Sequence, residues 1–237
     1  MAAYLRPTAP IAAAAVLPDD PALALALAQA ILEGPMMSNH SYGLWGYYGR
    51  DGDGRELTVQ ATGIGAGGAA AVLGELADLG VRRAVRIGRC SALAPDLAAG
   101  DRVRAIAGLA TDGVSRALAA RSPLPDPDLD RALAAAAPGA KPATVAGCDL
   151  DPAVAGPEAR SEWIAAGATV ADLQTAALLA LGERLGVAVA AELVVAGPSS
   201  RAELGEDALT ASLLELGGHA AEALAALPSA APAGGSP

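Results

Sequence analysis

The residues best suited to chemistry lie between positions 62 and 91. The run T-G-I-G-A-G-G at 62–68 carries four glycines, which permit positive φ and let the backbone come close to a ligand. A helix beginning after Gly68 would point its free N–H groups at an anion. The run R-I-G-R-C-S at 86–91 adds Arg86 and Arg89 beside Cys90 and Ser91. An arginine is a planar fork suited to phosphate. Together these groups point to a small-molecule site with an anionic component.

Such a site needs a strand, a helix and a second strand to hold it. Leu57, Val59 and Ala61 alternate with polar neighbours, which gives a strand with one buried face. Ala69, Val72, Leu73, Leu76 and Leu79 recur at helical spacing, and Gly80 supplies the stop. Residues 81–87 form the next strand. The crossover is right-handed and its strands parallel, and glycine-rich turns at the carboxyl ends of such strands are where α/β sheets bind ligands.

Upstream, the apolar run 11–17 ends at P-D-D-P, with Asp20 as N-cap and Pro21 as first helical residue. The aromatic run Y-G-L-W-G-Y-Y at 42–48 and the turn R-D-G-D-G at 50–54 predict an antiparallel hairpin. The sheet is therefore mixed. Downstream, strands at 102–107, 142–148 and 187–196 are interleaved with helices at 128–137 and 204–227, and 169–185 holds a short strand and a long helix. Residues 149–161 read as a loop long enough to be functional. Trp163 reads as core and His219 as a surface residue of the last helix. No repeat or second core is visible. The reading is one domain over 1–227 and a disordered Pro/Ala/Gly/Ser-rich tail at 228–237.

A chain of 237 residues has ample length for one large α/β domain. Its net charge of −10 argues against a nucleic-acid partner. No apolar run reaches the roughly 18 residues needed to span a bilayer, and the N-terminus lacks the charged head and apolar run of a signal peptide. Cys90 and Cys148 sit at expected buried strand ends and suggest no disulfide framework. Cysteine and histidine are too sparse for zinc, and no serine pairs with both a histidine and an acid. A cytoplasmic protein without a metal or organic cofactor is expected.

Gly63, Gly65 and Gly68 satisfy G-x-G-x-x-G, the dinucleotide fingerprint. That fingerprint should open its fold, whereas here a strand, a helix and a hairpin precede it. Arg89 stands where an acidic residue would read the ribose; an arginine could instead read a 2′-phosphate. An NADP-binding oxidoreductase is thus a lesser alternative.

The order of motifs carries a wider match. L-P-x-D-P at 17–21, N-H-x-x-G-x-W-G at 39–46, T-G-x-G at 62–65 and R-x-G-x-x-x-A-L at 86–93 occur in sequence. Gly100-Asp101, the Trp163 helix and D-L-Q-T-A-A-L-L at 172–179 follow. This series resembles the nucleoside phosphorylase family, the uridine and purine phosphorylases, from about Tyr4 to Leu227. The resemblance implies an α/β fold: a single-domain, mixed, barrel-like central β-sheet flanked by α-helices. It also implies a homodimer, often assembled into a hexamer, because each pocket borrows residues from its neighbour. The reaction implied is cleavage of a nucleoside's N-glycosidic bond with phosphate as co-substrate. Its oxocarbenium-like transition state needs an anion near the anomeric carbon, anchored ribose hydroxyls and a base able to accept charge.

Carried over residue by residue, the resemblance assigns Arg86 to the phosphate and Gly63 and Gly65 to the loop beside it. Thr62, Cys90, Ser91, Asp149 and Leu173 fall in the ribose and base region, with Asp151 close by, and His40 and Tyr42 in the part lent across the dimer. Several positions depart from the family. Asp19 replaces the glycine of L-P-G-D-P, and Arg89 and Ser91 stand in place of the family's threonine and glycine. Asp172-Leu173-Gln174 replaces E-M-E, so the ribose faces an uncharged amide. Val195-Ala196-Gly197-Pro198 replaces the strand-end aspartate that helps protonate a purine. Arg89 reads either as a new anion ligand or as a partner for Asp19. Two opposite charges introduced into one pocket favour the pairing, which would make phosphate bind poorly. The expected function is binding or cleavage of a nucleoside, by phosphorolysis or hydrolysis, with Arg86, Asp172 and Gln174 as the catalytic candidates. A catalytically degenerate binding module or partner subunit is the alternative.

Overall fold

A computed structural model describes residues 3–118, 122–197 and 204–228. Strand β1 (Ala14–Leu17) ends at Pro18, and the Asp20 side chain caps helix α1 (Pro21–Ile31) by accepting from the Ala22 N–H. Strands β2 (Glu33–Asn39), β3 (Gly46–Arg50) and β4 (Glu56–Gln60) form an antiparallel meander. Helix α2 (Gly65–Asp78) and strand β5 (Arg83–Ala92) complete the expected crossover unit. Strand β6 (Arg102–Leu109), the short helix α3 (Gly113–Leu118), helix α4 (Pro127–Ala136) and strand β7 (Lys141–Gly147) come next. Helix α5 (Pro152–Ala165), strand β8 (Val170–Asp172), helix α6 (Thr175–Leu185), strand β9 (Ala188–Gly197) and helix α7 (Glu206–Ala225) complete the described chain.

The nine strands lie in the order β2-β3-β4-β1-β5-β8-β7-β6-β9, and β9 pairs again with β5. The last five strands thus close on themselves as a barrel, while β1 to β4 extend from β5 as an open wing. β1 runs parallel to both β4 and β5, so it lies between the two strands of the crossover unit. Pairing within the barrel is mixed: β5 is parallel to β9 but antiparallel to β8, and β6 is antiparallel to β9. The mixed, barrel-like sheet flanked by helices is as expected. The interposed β1 is not the arrangement of a dinucleotide-binding half, in which strand and crossover partner are neighbours.

Alternation explains the layers. Cys90, Val103, Ala105, Ala143, Val145, Val170, Ala191, Leu193 and Val195, drawn from all five barrel strands, form one apolar cluster. Ala190 and Val194 face the other way, into a cluster with α1, α4 and α7. Leu17 and Ala84 pack against α2 and α6.

Three local expectations are revised. Helix α2 begins at Gly65, inside the glycine run, so Gly67 and Gly68 are helical. Residues 149–161 are not a loop: Asp151 caps α5, which is broken at Gly156 (φ +86°) before Pro157. The segment before the aromatic hairpin is itself the edge strand β2, which leaves Met36 and Met37 49% and 42% exposed. Trp163 is core as read, and Cys90 and Cys148 are both buried. The tail expected to be disordered lies, apart from Pro228, outside the described residues. No described helix is long and apolar enough to cross a membrane.

Candidate functional site

The carboxyl ends of β1 and β8 and the loop after β4 meet around Arg86, which lies in the middle of β5. Arg86 shares a face of β5 with Ala84, Gly88 and Cys90, so its long side chain enters the protein and is only 2% exposed. Space comes from Gly88, where a Cβ would fall 2.3 Å from Arg86 Nη2. Arg86 Nη2 lies 3.5 Å from Asp19 Oδ2 and 3.7 Å from Asp172 Oδ2. Nη1 donates to the Ile87 carbonyl and, at 3.5 Å, to that of Leu17, whereas Nε has no partner among the described residues.

Asp172 is as buried as Arg86, yet its carboxylate is well supplied with donors. Oδ1 accepts from the Thr175 N–H at 3.0 Å and the Gln174 N–H at 3.3 Å, and Oδ2 accepts from the Thr175 hydroxyl at 2.8 Å. Burial pushes its carboxyl above the ordinary range, opposed by the Arg86 charge and the Thr175 bonds. Asp19 differs: its side chain is 28% exposed, so one edge faces solvent.

The glycine loop joins this cluster through its backbone. Gly63 and Gly65 adopt φ of +72° and +84°, values open to glycine at little cost. The Gly63 N–H donates to the Asp19 carbonyl at 3.1 Å, and the Thr62 N–H to that of Pro18 at 2.9 Å. The Gln174 amide nitrogen donates to the Gly63 carbonyl, and the Thr62 hydroxyl donates to Gln174 Oε1 at 2.9 Å.

The structure therefore brings together Asp19, Thr62, Gly63, Arg86, Asp172 and Gln174. The Asp19–Arg89 pairing is not what forms. Asp19 pairs with Arg86, while Arg89 is exposed and has no ion pair among the described residues. The reason is parity: positions three apart on a strand face opposite ways. Cys90 lies by the cluster, its thiol pushed well up by burial and then by the Asp172 charge. Ser91 and Leu173 are half-buried. Cys148 is buried and its thiol also raised, first by burial and then by the surrounding carboxylates of Asp172, Asp112, Asp151 and Asp149. Asp149 and Asp151 have structural duties, accepting from the Gly113 N–H and the Ala153 N–H. His40 and Tyr42 are exposed on the wing, and no hydrogen bond or ion pair among the described residues joins them to Arg86. Tyr42 adopts φ +57° and meets the Tyr4 ring edge-on at 5.5 Å.

One buried charged pair was missed. Glu192 in β9 is fully buried, and His219 Nδ1 lies 3.1 Å from its Oε2. His219 is thus no mere surface residue. A lone glutamate inside V-A-V-A-A-E-L-V-V-A was the available signal, since a buried carboxylate needs a partner.

Comparison with known proteins bears on this arrangement. The family model of the phosphorylase superfamily matches residues 13–231. A DeoD-type purine nucleoside phosphorylase of Geobacillus kaustophilus is 32% identical over 110 residues, 46% of each chain. Another, from Chromobacterium violaceum, is 36% identical over 83 residues, 35% of each. A guanosine phosphorylase of Halorubrum lacusprofundi is 41% identical over 64 residues, 27% of each. Matches to these curated relatives thus span less than half of their length, whereas the family model spans nearly all of this chain. With barrel, wing and strand-end cluster all in place, the chain belongs to the phosphorylase superfamily.

Proposed function

We propose that this protein binds a nucleoside at the Arg86 cluster and cleaves its N-glycosidic bond with water in place of phosphate. The observation that carries this reading is the Asp19–Arg86 pair. An arginine positioned to hold a phosphate is already faced by two carboxylates, so a further anion meets repulsion and a neutralised guanidinium. Asp19 supplies the negative charge that an oxocarbenium-like transition state requires. Its exposed edge can also take a proton from an incoming water. The new C1′–O bond then forms as the C1′–N bond breaks, its electron pair passing to the base, which is protonated from solvent.

A second reading, binding without turnover, is favoured by one observation. Both ends of the Gln174 amide are engaged within the protein and the residue is buried, so little of it is open to a sugar. In either case exposed Met36, Met37 and Tyr42 fit a homodimer interface on the wing.

Base release from a nucleoside panel, with and without inorganic phosphate, decides between these readings. Release that ignores phosphate and is lost in Asp19→Asn is expected. Phosphate-dependent release would overturn hydrolysis, and nucleoside binding without any release would establish the second reading.

A further inference from the structure

The hydrogen bonds around Arg86 close into a ring. The Asp19 carbonyl accepts from the Gly63 N–H, and the Gly63 carbonyl accepts from the Gln174 side-chain amide. The Gln174 backbone N–H donates to Asp172, whose other oxygen faces Arg86, and Arg86 returns to the Asp19 carboxylate. The ends of β1, β4 and β8 are tied by this circuit to the middle of β5.

Residue 174, like Asp19, enters the ring twice, once through its backbone and once through its side chain. Its side-chain nitrogen is the end that matters, because the Gly63 carbonyl can be met only by a donor. A carboxylate at this position would turn an acceptor against an acceptor. It would also set a third negative charge near one guanidinium. The Thr62 hydroxyl, wholly buried, fixes the amide by occupying its oxygen and so directs the nitrogen to Gly63.

We propose that Gln174 is a positioning residue that keeps the Asp19 carboxylate on Arg86, and thereby keeps phosphate out of the site. The role rests on the phosphate-free reading above, but its test does not depend on turnover. When the donor to Gly63 is lost, the segment carrying Asp19 loosens. Asp19, already partly exposed, can then swing to water and leave Arg86 to an incoming anion. The hydroxyl of Thr62 acts one step further back, through the orientation of the amide.

The test is calorimetric titration of the full chain and its variants with inorganic phosphate, alongside thermal unfolding. The unaltered chain should bind phosphate only in the millimolar range or weaker. Gln174→Leu should tighten phosphate at least tenfold, and Thr62→Val, which removes the hydroxyl at nearly constant shape, should move it the same way. Thr62→Ser keeps the hydroxyl and should behave as the parent. A purely structural role would lower the unfolding temperature of Gln174→Leu and Thr62→Val while phosphate affinity stayed put, and that result would overturn the proposal. Should Gln174→Leu fail to fold, Thr62→Val against Thr62→Ser separates the two outcomes equally well. Micromolar phosphate binding by the parent would defeat both this role and the phosphate-free reading. Weak parental binding that tightens in the variants, with no base release from any nucleoside, would uphold the role and defeat hydrolysis alone.

Discussion

Asp172 and Glu192 pose one physical problem in two places. Each is a carboxylate withdrawn from water inside the barrel wall, and burial raises both above the ordinary range. Asp172 is satisfied mainly by its own neighbourhood: the Thr175 N–H, the Thr175 hydroxyl and the Gln174 N–H at the start of α6, with Arg86 beyond. Glu192 is bonded to one imidazole, that of His219, brought from α7. Around that pair stand Glu215, 3.9 Å from His219 Nε2 and paired with Arg102, and the Arg104–Asp130 pair at the register position beside Glu192. Local capping makes a carboxylate robust and leaves its cation to be shared. A single distant partner makes the carboxylate depend on one contact.

The largest effect is expected where one cation serves two acids. Arg86→Met strands Asp19 and Asp172 together and should cost about 3–5 kcal/mol in chemical denaturation. Adding Asp19→Asn and Asp172→Asn should recover much of it. A loss well under 1 kcal/mol would mean that local capping alone sustains Asp172, contrary to the shared-cation view.

Next comes His219→Ala, which leaves Glu192 buried without its bonded partner. A loss of about 1–3 kcal/mol is expected, with faster amide exchange along α7. Unchanged exchange there would break the contrast between the two carboxylates.

A smaller effect separates them by pH. Burial lifts the Glu192 carboxyl above its ordinary 4.5, while His219 and Arg102 draw it down. A carboxyl raised in the folded state holds its proton more firmly there than in the unfolded chain. Its stabilising contribution is therefore fully present in acid, below the unfolded value, and is lost as pH rises through the folded one. Glu192→Gln lacks this dependence, and Asp172 cancels because both proteins carry it. The deficit of Glu192→Gln relative to the parent should be greatest in acid and shrink toward neutrality in melting curves. A deficit that grows with pH would contradict the burial account.

The smallest effect is assigned to Arg89. Exposed and without an ion pair among the described residues, it should change stability by no more than about 0.5 kcal/mol in Arg89→Thr. A large loss would show that the exposed arginine and the buried one share the work.

These contrasts also explain what the sequence disclosed. The crossover unit, the antiparallel hairpin and the single mixed domain rest on local periodicity, so they could be read directly. The meeting of Arg86, Asp19 and Asp172 came through family resemblance, because three distant segments supply it. Choosing Arg89 for Asp19 was avoidable, since strand alternation sets Arg86 with Ala84 and Cys90 and turns Arg89 away. Gln174 as a donor to Gly63 could not be read, because residue type alone does not say which end of an amide is used. His219 had a faint signal: it follows Leu216 by three and precedes Ala223 by four, both buried, which sets it beside the apolar stripe of α7. Gly156 with Pro157 announced a break, but the break fell within a helix rather than in a loop.

The edge strand β2 gives the wing a chemical tell-tale. Met36 and Met37 stand side by side at the outermost strand, both substantially open to solvent. Thioethers so placed take up oxygen from mild peroxide as sulfoxides, whereas the buried thiols of Cys90 and Cys148 are shielded and held protonated. A brief oxidation pulse followed by peptide mass analysis would thus read the wing selectively. A second copy seated along β2 would be recorded as two methionines that resist the pulse as protein concentration rises.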